Sequence, residues 1–337
     1  MTKPKISFLA FFLLWAELQG WKVPIFHIQV CIFLEEFYLN GRTGLLMLPR
    51  GHSKSSILDV FNAWVIYCWP NTQILHQGTT DADAYKCSKG TRDVLERHPL
   101  CIGNPNVAIR QGEIERWFVE GTPDVRYGTM LAKGILSGVT GHRAHFIQND
   151  DVETPQTTAN PEQREKLPKK LSEQTHIAIP GAKRLWIGTP HTHDSLYEKI
   201  KKQRKVSKLI LKMFENEKRV EDSVKGQKVL LDFEPIHAFS GIGVGAKYLR
   251  KGENYECRKL KNAWEVTFLE SNYIVDFYSK GIWEERFTPE EMEFRREECK
   301  TLNEWDSQYQ MHAKPIGDVR LDPDKSLAYD CEPMLRR

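Results

Sequence analysis

The sequence predicts an α/β protein with a mostly parallel sheet, helices on both faces of that sheet, and a smaller α+β region after it. Between residues 44 and 190, short apolar runs alternate with amphipathic stretches, a pattern typical of parallel strands joined by helices. The 337 residues include 40% hydrophobic and 11% aromatic side chains, enough for a substantial core and unlike a disordered chain. This length accommodates two ordinary domains, or one large α/β domain with an appendage.

Four apolar runs predict the strands of this sheet, and amphipathic stretches after the first two predict helices. The predicted strands are residues 45–48, 72–77, 146–149 and 184–187, and the predicted helices are residues 55–69 and 80–97. Ligands of such sheets bind at the carboxyl ends of the strands. Polar residues that follow the apolar runs are therefore the first candidates for a functional site.

The N-terminal segment looks only superficially like a secretion signal. Two lysines precede an apolar run over residues 6–16, but this run is shorter than the roughly 20 residues that span a bilayer. It is followed by Glu17 rather than by a cleavage site of small residues. We therefore predict a helix buried in the core of a cytosolic protein, with neither secretion nor membrane insertion.

Charge and cysteine usage narrow the class of protein further. A formal net charge of +3 gives no global footprint for nucleic-acid binding, although a local basic surface stays open. The seven cysteines form no Cys-x-x-Cys pair, and an odd number cannot be fully paired within one chain. We predict reduced thiols and no zinc site.

The second half of the chain changes in character. Residues 199–212 contain seven basic side chains and no acid, which either contact a phosphate backbone or form a solvated helix face. From about residue 220 to residue 278 the sequence consists of short β-like pieces. Thr288 and Pro289 then begin a strongly charged helix, with proline in its first turn.

The most specific motif, residues 48–56 (Leu-Pro-Arg-Gly-His-Ser-Lys-Ser-Ser), lies between the first predicted strand and the first predicted helix. A phosphate loop needs backbone N–H groups that converge on anionic oxygens, a helix N-terminus behind them and a cation that reaches forward. Lys54 would neutralise the β- and γ-phosphates of a nucleotide, and the Ser55 hydroxyl would bind Mg²⁺.

This loop departs from the usual pattern G-x-x-x-x-G-K-[ST]. Leu48 and Ser53 stand where the two glycines belong, while Gly51 remains and Arg50 is added. Such a segment can arise by chance in a surface turn, but its place between a strand and a helix favours a deviant phosphate loop.

Acidic residues follow another predicted strand, as phosphate-loop chemistry requires. Asp150, Asp151 and Glu153 come directly after residues 146–149. Asp150 would hold the Mg²⁺ shell, and either Asp151 or Glu153 would polarise the attacking water. Solvated acids in an ordinary turn are the alternative for this segment taken alone.

A further strand ends in Gly188-Thr189-Pro190. A threonine hydroxyl at this edge of the sheet can contact the γ-phosphate or the attacking water. Taken by itself, ordinary strand-ending turn chemistry is the better interpretation.

Together and in this order, the three motifs resemble the ATPase domain of the bacteriophage large terminase subunit, a DNA-packaging motor, especially in short-tailed coliphages. That family has an arginine-bearing deviant phosphate loop, matched by residues 50–55, and an acidic strand end that often reads D-D-V-E, matched by residues 150–153. Its Gly-Thr-Pro motif and later Leu-Tyr are matched by residues 188–190 and 196–197. Residues 305–315 match its closing segment loosely, and residues 218–281 do not align.

The resemblance implies further site residues. The implied nucleotide-binding residues are Gln29, Arg50, Gly51, His52, Ser53, Lys54, Ser55, Ser56 and Thr189. Gln29 is similar to a family glutamine that reads the adenine edge, and its ordinary interpretation is a polar residue on a helix face. Arg50 would sense or stabilise the γ-phosphate. Arg143, in a Thr-Gly-x-Arg-like segment, would be a transition-state finger that can act on a neighbouring subunit, with a structural ion pair as the equal alternative.

The resemblance also implies a fold and a function. The fold would be a P-loop NTPase of the ASCE, or RecA-like, type, with residues 1–212 as ATPase core, 213–320 as a lid-like subdomain and 321–337 as a linker or tail. ATP hydrolysis with Mg²⁺ would drive double-stranded DNA into a procapsid in the host cytoplasm. The portal protein and the small terminase subunit would be partners, with a homo-oligomeric ring on the portal and a monomer as the alternative in solution.

The family's C-terminal nuclease domain finds no room in this sequence, so we expect no DNA cleavage by this chain alone. The alternative functions are another P-loop DNA translocase or helicase-like ATPase, and a non-hydrolysing ATP-dependent assembly module.

Two remaining motifs support no separate function. Residues 241–246 fit G-x-G-x-x-A but precede no adequate helix, which predicts a loop rather than a dinucleotide site. Residues 191–194 (His-Thr-His-Asp) have no further metal-ligand pattern nearby, and their position after Gly-Thr-Pro predicts a coupling loop.

Overall fold

An eight-stranded sheet organises the first two thirds of the chain. In the computed structural model, the described residues are 3–124, 126–154, 161–191 and 195–313, so the predicted tail at 321–337 lies outside them. The strands of this sheet are β1 (Thr43–Met47), β2 (Ile74–Gly78), β3 (Ile109–Gly112), β4 (Arg116–Val119), β5 (Met130–Gly134), β6 (Ala144–Asp150), β7 (Ala178–Gly188) and β8 (Ser207–Ile210).

The order of the strands confirms the predicted class. It runs β3-β4-β5-β2-β6-β7-β1-β8. In this spatial order, the last six strands are all parallel to one another. Strands β3 and β4 form an antiparallel hairpin at one edge. The sequence prediction lacked β3, β4, β5 and β8, which are short and each contain a lysine or an arginine, so that none of them stands out as an apolar run.

Helices cover both faces of the sheet. The helices of this part are α1 (Phe8–Leu18), α2 (Ile25–Asn40), α3 (Lys54–Cys68), α4 (Asp81–Arg97), α5 (Pro161–Ile177) and α6 (Leu196–Lys201). Because side chains alternate along a strand, Leu46 and Leu48 face the core formed with α1 to α4. Leu45 and Met47 face the opposite side, where they pack with residues of α5 and α6.

The N-terminal apolar run is a core helix, as predicted. Ser7 caps α1 by accepting a hydrogen bond from the backbone N–H of Ala10. Phe8, Phe11 and Phe12 of this helix are fully buried. Within the described ranges, no helix has both the length and the apolar content needed to cross a membrane.

The second region is built from antiparallel sheets and two helices. Its elements are β9 (Glu217–Ser223), β10 (Lys228–Leu231), β11 (His237–Ser240), β12 (Lys247–Tyr248), β13 (Tyr255–Lys259), β14 (Trp264–Phe268), β15 (Asn272–Tyr278), α7 (Pro289–Glu298) and α8 (Leu302–Tyr309). One sheet has the order β12-β11-β15-β9 and the other β10-β14-β13. The predicted proline in the first turn of α7 is confirmed at Pro289.

Buried ion pairs hold this second region together. Arg219 on β9 pairs with Asp276 on β15 at 2.6 Å and with Asp306 on α8 at 3.1 Å. Arg296 of α7 is fully buried and also binds Asp276. These contacts fix α8 against the sheet, which matters because α8 lines the candidate site.

The basic segment is only partly helical, which corrects the helix-face interpretation. Helix α6 ends at Lys201, a turn follows, and residues 207–210 form the edge strand β8 beside β1. The six cysteines in the described part of the chain are free thiols, as predicted.

Candidate functional site

The predicted strand–loop–helix arrangement is confirmed: residues 48–53 join the carboxyl end of β1 to the first turn of α3. The loop turns tightly, with the His52 N–H donating to the Pro49 carbonyl at 3.2 Å. The φ angle is 80° at Gly51 and 58° at Ser53, both in the left-handed region. Because a Cβ makes this region costly, the backbone explains why glycine is the usual residue at the place of Ser53.

A cleft of about 1040 Å³ opens beside this loop, at the carboxyl ends of the parallel strands. It brings together six of the predicted site residues, which are Arg50, Lys54, Ser55, Asp150, Asp151 and Thr189. These residues come from three separate segments of the chain, and the parallel topology places all three at the same edge of the sheet.

Lys54 and Asp151 pair across the cleft. The Lys54 Nζ lies 3.3 Å from Asp151 Oδ2. Asp151 has a left-handed backbone with φ of 45°, and the Thr79 hydroxyl donates to its carbonyl at 2.6 Å. The loop after β6 is therefore shaped to present the Asp151 carboxylate to the lysine.

Asp150 sits in a less polar environment than its neighbour. Burial, followed by the negative charge of Asp151, raises the pKa of Asp150 to about 7, and the charge of Lys54 opposes this shift. A nearby cation stabilises the ionised form of such a carboxyl group. Asp150 and the Ser55 hydroxyl line the same cleft, where both offer oxygen ligands to a cation.

Thr189 lies on the cleft wall next to a glycine that has a packing role. A Cβ at Gly188 would overlap the ring of Tyr197, whose hydroxyl donates to the Ile187 carbonyl at 3.0 Å. The Gly-Thr-Pro motif and the later Leu-Tyr pair therefore form one packed unit. This unit connects the end of β7 to α6.

Glu153 lies outside the cleft wall, although it follows the two aspartates closely. Its side chain is buried, and its carboxylate accepts a hydrogen bond from the Leu196 N–H at the start of α6. An acidic group there stabilises the helix N-terminus. Of the two residues predicted to activate water, only Asp151 lines the cleft.

His52 is part of the loop, but its ring points away from the cleft. The ring is buried and stacks on Phe287 with a centroid distance of 4.5 Å and an interplanar angle of 7°. Burial lowers the pKa of His52 to about 3, so the ring is neutral. The aromatic packing of the His52 side chain attaches the loop to the second region, and a place for His52 among the nucleotide-binding residues stays a prediction.

A second cavity of about 510 Å³ lies on the other side of the same loop. It is lined by Trp21, Lys22, His27, Ser53, Ser56, Trp283, Glu285 and Arg286. Both ring nitrogens of His27 are buried without a hydrogen-bond partner among the described residues. Burial, then the charge of Arg286, lowers the pKa of His27 to about 4, so this residue is a neutral imidazole.

Besides Gly51, His52 and Glu153, the predicted residues Gln29 and Arg143 line neither cavity. Gln29 is exposed on α2 and lines neither the cleft nor the second cavity. Arg143 precedes β6, at the opposite end of the strand from Asp150, and its guanidinium donates to the His142 carbonyl at 3.0 Å. Arg143 thus lies away from the cleft of its own chain, and its role as a transition-state finger, including one at a neighbouring subunit, stays a prediction.

Sequence reasoning missed several residues of the cleft wall, and two of them, Asp59 and Gln308, are informative. Asp59 lies one turn after Ser55 on α3, and one of its carboxylate oxygens is buried without a partner within the described segments. The spacing of four residues from Ser55 was the available signal.

Gln308 of α8 is the second of these residues. Its carbonyl accepts the Arg50 N–H at 3.0 Å, and its side-chain amide lies 3.4 Å from His191 Nδ1. The second region thus closes one side of the cleft. The loose match at residues 305–315 gave no indication of this contact, because it depends on tertiary packing.

Comparison with known proteins supports the motif resemblance. No family model matches the chain. The large terminase subunit of Enterobacteria phage T3 is 27% identical over 231 residues, which cover 67% of this chain and 39% of the phage protein. The chain therefore matches well under half the length of this relative.

Two large terminases are among the solved structures that the comparison matches to this chain. The HK97 bacteriophage large terminase has a TM-score of 0.42 with 11% identity, over 58% of this chain and 40% of that chain. The ATPase domain of the Thermus phage P74-26 large terminase has a TM-score of 0.38 with 16% identity, over 59% of this chain and 84% of that chain. The resemblance to large terminases that the motifs predict is confirmed by the sequence match to the phage T3 protein.

Proposed function

We propose that this chain hydrolyses ATP and uses the released free energy to translocate double-stranded DNA into a viral procapsid, as the ATPase part of a large terminase. The observation that carries the proposal is the cleft in which Lys54 and Ser55 of the phosphate loop meet Asp150, Asp151 and Thr189 from two other strand ends. A cation, a hydroxyl and paired carboxylates at one edge of a parallel sheet are the groups that phosphoryl transfer to water requires.

The residues present fit a nucleotide with Mg²⁺. The first turn of α3 and the loop before it offer backbone N–H groups to phosphate oxygens. Ser55 and Asp150 offer hard oxygen ligands, which Mg²⁺ prefers. When bound, the ion would neutralise charge on the phosphates, and these two residues would hold it.

The other groups of the cleft take separate roles. Asp151 orients and polarises the attacking water, because it is the acidic residue after Asp150 that reaches the cleft. Lys54 exchanges its pairing with Asp151 for the negative charge of the phosphates. Arg50 and Thr189 stabilise the terminal phosphate, and Arg143 acts on the cleft of a neighbouring subunit.

The second cavity receives the nucleobase. Indole rings of Trp21 and Trp283 provide stacking surfaces, and the unpartnered His27 nitrogens provide a donor and an acceptor for base edges. Ser53 and Ser56 of the loop line this cavity, so a nucleotide held by its phosphates would reach it. His27 thereby takes the base-reading role that the resemblance gives to Gln29.

The resemblance also supplies the cellular setting of the proposal. The chain would act in the cytoplasm of the infected host, in a homo-oligomeric ring docked on the portal protein, with the small terminase subunit delivering the DNA. Its position in such a ring would place the Arg143 edge of one subunit next to the cleft of another.

Measurement of ATP turnover tests the proposal. We expect Lys54→Ala and Asp150→Ala to lower turnover by about 100-fold or more, because each removes charge compensation at the phosphates. Lys89→Ala, at an exposed lysine on α4, is the matched control and should turn over ATP like the wild type. The assay should include portal and small-subunit partners, since motors are slow outside their ring.

The outcomes separate the alternatives. Equal inactivity of the wild type and both variants, with partners present, would favour a non-hydrolysing assembly module. Turnover that Lys54→Ala leaves unchanged would show that the site is elsewhere. ATP-dependent filling of portal-bearing procapsids distinguishes a packaging motor from another P-loop translocase.

A further inference from the structure

A strongly basic surface lies at the edge of the sheet, next to the strand that carries the phosphate loop. Residues 199–208 contain six lysines and arginines in ten positions and no acid. They comprise the end of α6, an exposed turn and the start of the edge strand β8. We refer to residues 199–208 together with Arg42 as the basic edge.

Most cations of the basic edge are exposed and make no ion pair with a described residue, and Lys201 is the exception. Lys201 pairs with Glu198 at 3.2 Å. The exposed cations that make no ion pair with any described residue are Arg42, Lys199, Lys202, Arg204, Lys205 and Lys208. Concentrated like charges repel one another, so such a cluster weakens the isolated protein unless an anion binds there.

Neighbouring strands extend this positive surface. Ser207 of β8 lies opposite Gly44 of β1, and Thr43 lies opposite Arg184 of β7. Arg42 therefore lies between the turn before β8 and Arg184 of β7, at the amino ends of β1 and β8. Lys183 of β7 also lies at this edge, where its side chain is buried and donates a hydrogen bond to the Gly41 carbonyl at 2.7 Å.

The basic edge is connected at two points to elements that border the cleft. Strand β8 pairs with β1, whose carboxyl end begins the phosphate loop. At the other end, α6 is capped by Glu153, and its Tyr197 packs against Gly188 beside Thr189. Direct contacts thus connect this surface to the loops that form the cleft.

We propose that the basic edge binds the phosphate backbone of double-stranded DNA; this inference rests on the proposed function and assigns the DNA contact to specific residues. Duplex DNA carries one negative charge per about 1.7 Å of its axis, so one short surface meets several phosphates. Lysine and arginine contacts to phosphate carry no sequence information, which suits a motor that must move along any DNA. DNA phosphates would pair with the exposed cations that have no acidic partner among the described residues.

Salt-dependent binding of a random-sequence duplex to the full chain tests this assignment. Lys202→Gln/Lys205→Gln removes two of the unpaired cations, and Lys89→Gln/Lys169→Gln removes two exposed lysines from α4 and α5 as the matched control. We expect the test variant to bind DNA more weakly than the wild type. The slope of log K against log salt should fall by about 1.8, since each lost phosphate contact accounts for about 0.9.

The control should keep the wild-type affinity and slope. A second test variant, Arg204→Gln/Lys208→Gln, should behave like the first, and thermal unfolding of all variants shows that they are folded. The inference is overturned if the wild type does not bind the duplex, or if both test variants keep its affinity and slope. Because binding is measured without hydrolysis, a failure of the ATPase proposal would appear separately, in the Lys54→Ala and Asp150→Ala turnover.

Discussion

Two cavities flank the same phosphate loop, and among the described residues indole rings line only one of them. The cleft at the sheet edge is lined by charged groups such as Lys54, Asp150 and Asp151. The second cavity combines two indole rings and the neutral His27 with Lys22, Glu285 and Arg286, and we call it the aromatic cavity. The loop divides them, since Lys54 and Ser55 face the charged cleft while Ser53 and Ser56 face the aromatic cavity.

This division follows from where each cavity obtains its walls. Strand ends of a parallel sheet supply the charged cleft, and polar strand ends can be recognised in a sequence. The aromatic cavity is assembled from the segment before α2 and the segment before α7, which are more than 250 residues apart. Charge at the phosphates and stacking at the base are therefore separable by mutation.

The largest change is expected at the acidic strand end. Asp151→Asn should lower ATP turnover by about 100-fold or more, because it removes the group that accepts the proton of the attacking water. Glu153→Gln should instead lower the free energy of unfolding by about 1 kcal/mol, because Glu153 caps α6. Turnover assays and thermal unfolding of both variants check this. The opposite pattern, lost turnover in Glu153→Gln without lost stability, would assign water activation to Glu153.

A smaller change is expected in the aromatic cavity. His27→Ala should raise the KM for ATP by about tenfold and reduce the preference for ATP over GTP, because the loss of a buried hydrogen-bonding group costs about 1.4 kcal/mol. Gln29→Ala should leave both values as in the wild type, since Gln29 is exposed and lies off both cavities. Steady-state kinetics with the two nucleotides decides between them, and a dependence on Gln29 alone would restore its predicted role.

The contact between the cleft and the second region should have a more modest effect. Gln308→Ala removes the amide that approaches His191 but keeps the backbone bond to Arg50. We expect turnover to fall roughly fivefold, equivalent to a hydrogen bond of about 1 kcal/mol, with the melting temperature unchanged. Gln308→Asn is the conservative comparison. If turnover falls only in proportion to lost stability, Gln308 has a purely structural role.

The smallest effect is expected in the phosphate loop, which lies between the two cavities. Ser53 has a φ angle of 58°, which glycine adopts without a steric cost. Ser53→Gly should therefore raise the free energy of unfolding by roughly 0.5 kcal/mol, the steric relief less the added entropy of the unfolded chain. Gly51→Ala, at a φ angle of 80°, should destabilise the protein and serves as the reverse comparison. Chemical denaturation measures both, and a destabilised Ser53→Gly would argue that the serine side chain has a binding role.

The sequence predicts the alternation of strands and helices and the polar residues at the strand ends. The parallel sheet followed from alternating apolar runs, and Arg50, Lys54, Ser55, Asp150, Asp151 and Thr189 lie together in the cleft. The orientation of side chains was less accessible. His52 belongs to the loop, yet its ring packs on Phe287, a contact that no local pattern encodes.

Long-range contacts explain the residues that were missed or misplaced. Gln308 reaches the cleft only because α8 is fixed by Arg219 to distant strands. His27 is identified by two buried nitrogens without partners among the described residues, a feature visible only after folding. Only the family resemblance predicts a base-reading role for Gln29, and its side chain is exposed on α2.

Calorimetric binding of two partial ligands tests the division of the nucleotide between the cavities most directly. Inorganic tripolyphosphate would occupy the charged cleft, and adenosine would occupy the aromatic cavity. We predict that Lys54→Ala weakens tripolyphosphate binding by about tenfold or more and leaves adenosine binding unchanged, while His27→Ala does the reverse. Substitutions that weaken both ligands equally, or neither ligand, would contradict the account.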